Sequence, residues 1–145
     1  MSLYPPVGFS FWVKFEFSED NVDIAFQDVS GIGMELLTED VIEGGENRFT
    51  QKLPIRANYS PLVLKRGLAV SSTLLDWCKE NIENFNIKPV HCIVALLNDQ
   101  QEPLVAYQFM NVYPLKWSIS NFNAENSSVV IESLELYYQY FKIIN

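Results

Sequence analysis

Few side chains in this 145-residue chain are spaced to do chemistry together. His91 is the single histidine and alternates with apolar neighbours, as a strand residue would. It completes neither a Ser-His-Asp set, nor a two-histidine metal site, nor an HExxH motif. Glu132 and Glu135 are three positions apart, which on an extended strand sends them to opposite faces and disfavours a shared acid pair. Asp99 and Glu102 fall in an expected surface turn, and the acidic run from Glu35 to Glu46 lacks the ligand pattern of a calcium loop. Gly31-Ile32-Gly33 lacks the third glycine of a dinucleotide loop, and Lys65-Arg66-Gly67 lacks the upstream glycines of a phosphate loop. Cys78 and Cys92 are the only cysteines and read as two reduced, buried thiols rather than a disulfide. No catalytic residue, cofactor site or metal site is therefore expected.

Composition points to one mainly β domain over residues 1–145. Hydrophobic residues make up 48% and aromatics 14% of the chain, too apolar for disorder and suited to pleated strands. A chain of this size buries roughly 68–70% of its unfolded surface, enough for a core without staples. The net charge of −8 disfavours specific nucleic-acid binding, which depends on cationic groups displacing counterions. No apolar run approaches the ~18 residues of a membrane helix. The opening segment, with Pro5 and Pro6 and no basic stretch before an apolar one, does not read as a secretory signal. The Asn58 and Asn126 sequons therefore carry little weight.

Phe9, Phe11, Val13, Phe15 and Phe17 alternate with Ser10, Trp12, Lys14 and Glu16, the pattern of a strand with one buried face. Glu19-Asp20-Asn21 turns into a hairpin partner at Val22–Gln27, and Ser30-Gly31-Ile32-Gly33 breaks the chain before another extended run. The acidic stretch Glu35–Glu46, interrupted by Gly44-Gly45, predicts a long loop or splayed hairpin. Arg48–Leu53 and Leu62–Arg66 are extended, separated at Pro54 and Ser60-Pro61. One helix is expected over Thr73–Phe85, with Leu74, Cys78, Ile82 and Phe85 on one face beside Leu75 and a cap from Ser71, Ser72 or Thr73. Val90–Leu97, the turn Asn98–Glu102 and Leu104–Met110 form a second hairpin. Pro114 opens Leu115–Ser120, Asn121–Ser128 is a turn, and Val129–Ile143 is a final long strand or bent pair.

Residues 1–50 carry two basic and ten acidic side chains, whereas residues 51–86 carry five basic and three acidic ones. That asymmetry gives different faces opposite signs, which suits oriented self-association, although solvated loops produce such runs too.

Several segments, in order, resemble the tail-tube proteins of contractile phages and of extracellular contractile injection systems. They are Gly8-Phe9-Ser10-Phe11, Phe26-Gln27-Asp28-Val29-Ser30-Gly31, Glu43-Gly44-Gly45, Lys52-Leu53-Pro54 and Leu62-Val63-Leu64-Lys65-Arg66-Gly67. Leu75-Asp76-Trp77, Val94-Ala95-Leu96-Leu97-Asn98 with Glu102-Pro103, Asn111-Val112-Tyr113-Pro114-Leu115-Lys116-Trp117, Phe122-Asn123-Ala124 and Val130 to Leu136 complete the set. The Leu-Lys-Arg-Gly, Asn-x-x-Pro-x-Lys and Ile-Glu-x-Leu-Glu-Leu elements make the likeness specific.

The resemblance implies a β-barrel or sandwich of antiparallel strands with one flanking α-helix, like the type VI secretion tube. It implies homo-hexameric rings whose strands join into an inner barrel and which stack into a hollow conduit for cargo, with sheath and baseplate or spike-hub proteins as partners. Such a subunit is made in the bacterial cytoplasm and assembled into a phage tail or an extracellular phage-tail-like particle. Glu43, Gly44, Gly45, Glu46, Asn47, Arg48 and Phe49, with a turn at Lys65, Arg66 and Gly67, are the expected contacts between subunits or rings. Acidic groups are expected to line part of the lumen. The last strand departs from the family: Leu136 to Lys142 is aromatic where a His-Glu-Gly-like stretch is usual, which points to a tube initiator near the baseplate, with the bulk tube subunit as rival. An intracellular β-barrel binding a small apolar ligand is the alternative from another class.

Overall fold

The computed structural model describes residues 10–17, 21–42, 44–45, 48–68, 72–120 and 130–144. The elements are β1 (Ser10–Glu16), β2 (Asn21–Phe26), β3 (Asp28–Ser30), β4 (Met34–Val41), β5 (Gln51–Tyr59), β6 (Leu62–Gly67), α1 (Thr73–Ile82), β7 (Val90–Leu97), β8 (Pro103–Ile119), β9 (Ile131–Tyr137) and β10 (Tyr140–Ile144). Among the described residues the fold is mainly β, with antiparallel pairing and one helix, as the residue patterns imply.

β1 lies between β2 and β7, and the ladder continues through β8, β9 and β6 to β3. Only Gln27 separates β2 from β3, and its N–H donates to the Lys65 carbonyl at 2.9 Å. The chain turns there from the β1 side to the β6 side, so the ladder returns on itself as a flattened barrel whose corner strands belong to both walls. β8 is the opposite corner. Its first half pairs with β7 and β10 and its second half with β9. Asn111, at the middle of β8, is held at φ 53 while its N–H donates to His91 Nδ1 (3.3 Å) and its Nδ2 to Gln139 Oε1 (2.7 Å).

Alternation puts Val13 and Phe15 inside and Trp12 outside, as expected. They meet Leu62, Leu64, Cys92, Val94, Phe109, Val112, Leu134 and Leu136, all fully or almost fully buried. Each large side chain so buried contributes about 1.5–3 kcal/mol. Gly31 is required where β3 leaves the barrel: it sits at φ +90, and a Cβ there would lie 2.0 Å from the Pro61 carbonyl oxygen.

Three expectations are corrected. The helix ends at Ile82, and its buried residues are Leu74, Trp77, Cys78 and Asn81, with Ile82 and Phe85 exposed. Trp77 packs on Phe15 and Phe17 and donates Nε1–H to the Lys88 carbonyl at 2.9 Å. Asn81 Nδ2 donates to the Trp77 carbonyl (2.7 Å) and Oδ1 accepts from Lys88 N–H (2.8 Å), so a polar side chain anchors the helix exit from inside. Ser72 caps the start by accepting from Leu75 N–H at 3.0 Å. Secondly, Pro54 and Pro114 do not end strands: each lies inside one beside a register shift, where a ladder donor is already missing. Thirdly, Lys65-Arg66-Gly67 is not a turn but the end of β6, paired with β9. The Glu19-Asp20 part of the first turn, the start of the first strand at Phe9, and the turn Asn121–Ser128 lie outside the described residues.

Candidate assembly surface

Among the described residues β4 and β5 pair only with each other, through a ladder from Met34↔Tyr59 to Val41↔Gln51 with an irregularity at Leu37/Thr38. The acidic splayed hairpin expected from the sequence is thus a two-stranded ribbon standing off the barrel. It has no core of its own. Met34, Leu36, Leu53 and Ile55 are all exposed, and beyond the strand ends Ile42 is 90% and Phe49 57% exposed. An isolated hairpin is marginal in water at best. The ribbon's polar pairs, Lys52–Asp40 at 3.2 Å and Asn58 Nδ2 to Glu35 at 3.1 Å, are exposed and contribute only about 0–1 kcal/mol each. At its root Tyr59 packs edge-on against Tyr138 and Phe141, which ties the ribbon to the barrel through aromatic contact.

The residues expected to make contacts divide between two settings. Gly44, Gly45, Arg48 and Phe49 lie exposed between β4 and β5, with Gly45 at φ +92 in open space. Glu43, Glu46 and Asn47 lie outside the described residues. In β6, Lys65 is exposed, whereas Arg66 and Gly67 are half-buried. Exposed apolar residues along the ribbon, Met34, Leu36, Ile42, Leu53 and Ile55, escaped sequence reasoning; the apolar positions of Met-Glu-Leu-Leu-Thr-Glu-Asp-Val carried a signal only for extended structure.

Arg66 points inward. Its Nε donates to Glu132 Oε1 at 2.5 Å, while Trp117 Nε1 donates to Glu132 Oε2 at 2.7 Å. Arg66 also reaches the capping hydroxyl of Ser72 at 3.4 Å and lies over the Phe26 ring. The Glu132 side chain is 3% exposed, so its charge depends on this pairing. One cluster therefore joins β6, β8 and β9 to the start of α1. Burial, with the Glu132 charge adding, pushes the Cys78 thiol up to about 12; burial raises Cys92 further still. Both are free, buried thiols.

Among the described residues β2 pairs only with β1 and β10 only with β8, so each leaves an edge open, as do β4 and β5 of the ribbon. β10 is apolar apart from Lys142, with Tyr140 and Ile143 exposed. Unpaired edges of this kind template pairing with another chain. Among the described residues no three His, Cys, Asp or Glu side chains converge on a point. No described helix is long and apolar enough to cross a membrane.

No curated protein sequence matches the chain significantly. Among solved structures, a chain of the anti-feeding prophage (AFP) baseplate, determined by cryo-electron microscopy with six-fold symmetry imposed, is 30% identical with a TM-score of 0.86, over 99% of this chain and 97% of that one. A chain of the sheath-tube complex of an extracellular contractile injection system, PVC, in the extended state is 23% identical with a TM-score of 0.76, over 98% and 93%. Hcp1 from Flavobacterium johnsoniae shares the fold at 15% identity, with a TM-score of 0.59 over 91% and 94%. The family model of the T4-like virus tail tube protein gp19 matches residues 7–142, nearly the whole chain, and the chain belongs to that tail-tube family.

Proposed function

We propose that this chain is a structural, non-catalytic subunit of the inner tube of a contractile injection system or phage tail, forming six-membered rings that stack into a hollow conduit. The observation that carries this reading is the β4–β5 ribbon, apolar and exposed, in a chain of the tail-tube family. Such a ribbon has a stable place only against other copies. The open edges of β2 and β10 support the same reading, since joining one to the other between neighbours leaves neither of these two edges free once the ring closes. The apolar-ligand alternative is not favoured, because Phe15, Phe109, Leu62, Leu64, Leu134 and Leu136 fill the barrel interior.

The layer next to the baseplate is the proposed position, supported by 30% identity to a chain of the AFP baseplate against 23% for one of the PVC sheath-tube complex. The exposed aromatics Tyr137 and Tyr140 fit contact with an unlike partner such as a spike hub. Sheath proteins surround the tube, cargo occupies a lumen lined in part by acidic groups, and the finished particle acts outside the cell that made it.

The stretch Glu43–Phe49 and, from β6, Lys65 and Gly67 are the proposed contacts; Arg66 holds the barrel to the helix. Ile42→Glu with Phe49→Glu tests this directly. Circular dichroism should be unchanged while light scattering and electron microscopy show loss of rings or tubes. Tubes of ordinary length from this variant would refute the ribbon's role.

A further inference from the structure

The ribbon needs a receptor, and the α1 and β8 residues outside it line a groove of matching chemistry. β8 pairs with β7 only as far as Val112, so among the described residues its stretch from Tyr113 to Ile119 has a strand partner, β9, on one side alone. On its other side lies α1. Between them is a groove of about 490 Å³ in which Leu75 and Ile82 of the helix face Leu115 of the strand, with Cys78 and Trp117 also lining it. Lys79 and Lys116 bring positive charge to it, and Glu83 a single negative one. Ile82 and Leu115 are exposed.

Just past the helix the chain presents an aromatic ring on a rigid mount. Phe85 sits at φ 52, a conformation that bulky residues rarely adopt, and its residue surface is 83% exposed. The Glu80 carboxylate fixes it there by accepting from Asn84 Nδ2 (2.9 Å) and Asn86 Nδ2 (2.8 Å), while Asn86 N–H donates to the Glu80 carbonyl at 3.0 Å. These hydrogen bonds also hold the Glu80 carboxyl below its ordinary titration range.

We propose that this groove, with Phe85 three residues beyond its lining Ile82, receives the β4 edge of the ribbon from a second copy of this chain. β4 is an extended strand whose outer edge is open, and it carries both apolar side chains and carboxylates: Met34 and Leu36 with Glu35, Glu39 and Asp40, followed by Ile42. An added strand would satisfy the open side of β8. The apolar side chains would fill the groove, and the carboxylates would meet Lys79 and Lys116. Within its own copy, the ribbon packs chiefly on itself rather than on this groove. Two different patches of one chain meet in this contact, so repetition generates a ring or a stack and not an isolated pair. This contact rests on the tube-subunit reading and specifies where the ribbon goes.

The test is site-specific photocrosslinking in the assembled, purified protein, with p-benzoylphenylalanine replacing Phe85. Crosslinks should join two copies and map to the peptide spanning residues 34–42. A second arm exchanges charges. Lys79→Glu with Lys116→Glu should raise the concentration needed for assembly about tenfold or more, and Glu35→Lys with Glu39→Lys in the same chain should recover most of that loss. Crosslinks mapping elsewhere in rings or tubes that still form, or charge exchanges without mutual rescue, would overturn this docking and leave the tube-subunit reading standing. A chain that never assembles would overturn both.

Discussion

Arg66→Met provides the sharpest test of how the barrel is held to its helix. The substitution keeps the aliphatic stem but removes the guanidinium facing Glu132, a carboxylate whose side chain is 3% exposed. Glu132 would retain only the Trp117 N–H. Breaking a buried pair from one side typically costs about 3–5 kcal/mol, because the remaining charge is stranded away from water. Loss of the Ser72 contact adds little, since that hydroxyl still caps the helix through Leu75 N–H. Glu132→Gln together with Arg66→Met removes the charge and keeps an acceptor for Trp117, so the double variant should be within about 1–2 kcal/mol of the parent. Urea unfolding followed by Trp fluorescence, at protein concentrations where the midpoint no longer depends on concentration, measures both. A loss below about 1 kcal/mol for Arg66→Met, or additive losses in the double variant, would refute the buried-pair account. The same reasoning means that Arg66 substitutions report on folding, and that exposed Lys65 is the β6 residue with which to probe contacts between copies.

Other outcomes follow from single features. Gly31→Ala should destabilise by about 2–3 kcal/mol in thermal unfolding, since the added Cβ would strike the Pro61 carbonyl and the backbone is at φ +90; an unchanged midpoint would contradict that close approach. The Tyr138 hydroxyl is buried with no hydrogen-bond partner among the described residues, so Tyr138→Phe should leave stability equal or raise it by about 1 kcal/mol, and a clear loss would imply a partner for the hydroxyl. Stability should fall above about pH 9, because Cys78 and Tyr138 hold their protons to about 12 when folded, against ordinary values of 9.0 and 10.0. The folded state then binds more protons than the unfolded one, each group contributing a slope of about 1.4 kcal/mol per pH unit until its folded value is reached. A denaturation midpoint flat from pH 8 to 11 would contradict this. Neither thiol should react with a thiol reagent at pH 8 until urea unfolds the chain.

Much of this was legible wherever a residue's role depends on its near neighbours. The Phe9–Phe17 alternation, the Asn98–Glu102 turn and the bent pair after Val129 each follow from local periodicity or turn chemistry, and the described parts of each take the expected form. The ordered segments ending in Ile-Glu-Ser-Leu-Glu-Leu led to the right family. What failed locally was decided at a distance. Pro54 and Pro114 read as strand breaks because nothing nearby shows that a register irregularity lies beside them. Asn81 faces the core because its amide binds backbone on both sides, so hydrophobic periodicity could not find it and placed Ile82 and Phe85 inside instead. Arg66 resembled a surface cation because its partner Glu132 is 66 residues away. Odd spacing did separate Glu132 from Glu135, with Glu132 buried and Glu135 only half-buried, yet spacing alone could not say which side faced inward.

The central claim is self-assembly into six-membered rings that stack. Native mass spectrometry of the purified protein, paired with electron microscopy of the same sample, tests it most directly. The account predicts a species of six times the 16.7 kDa chain mass, seen as rings with a central channel and as short stacks. A folded monomer at every concentration up to that used for imaging, with no rings in the field, would contradict it.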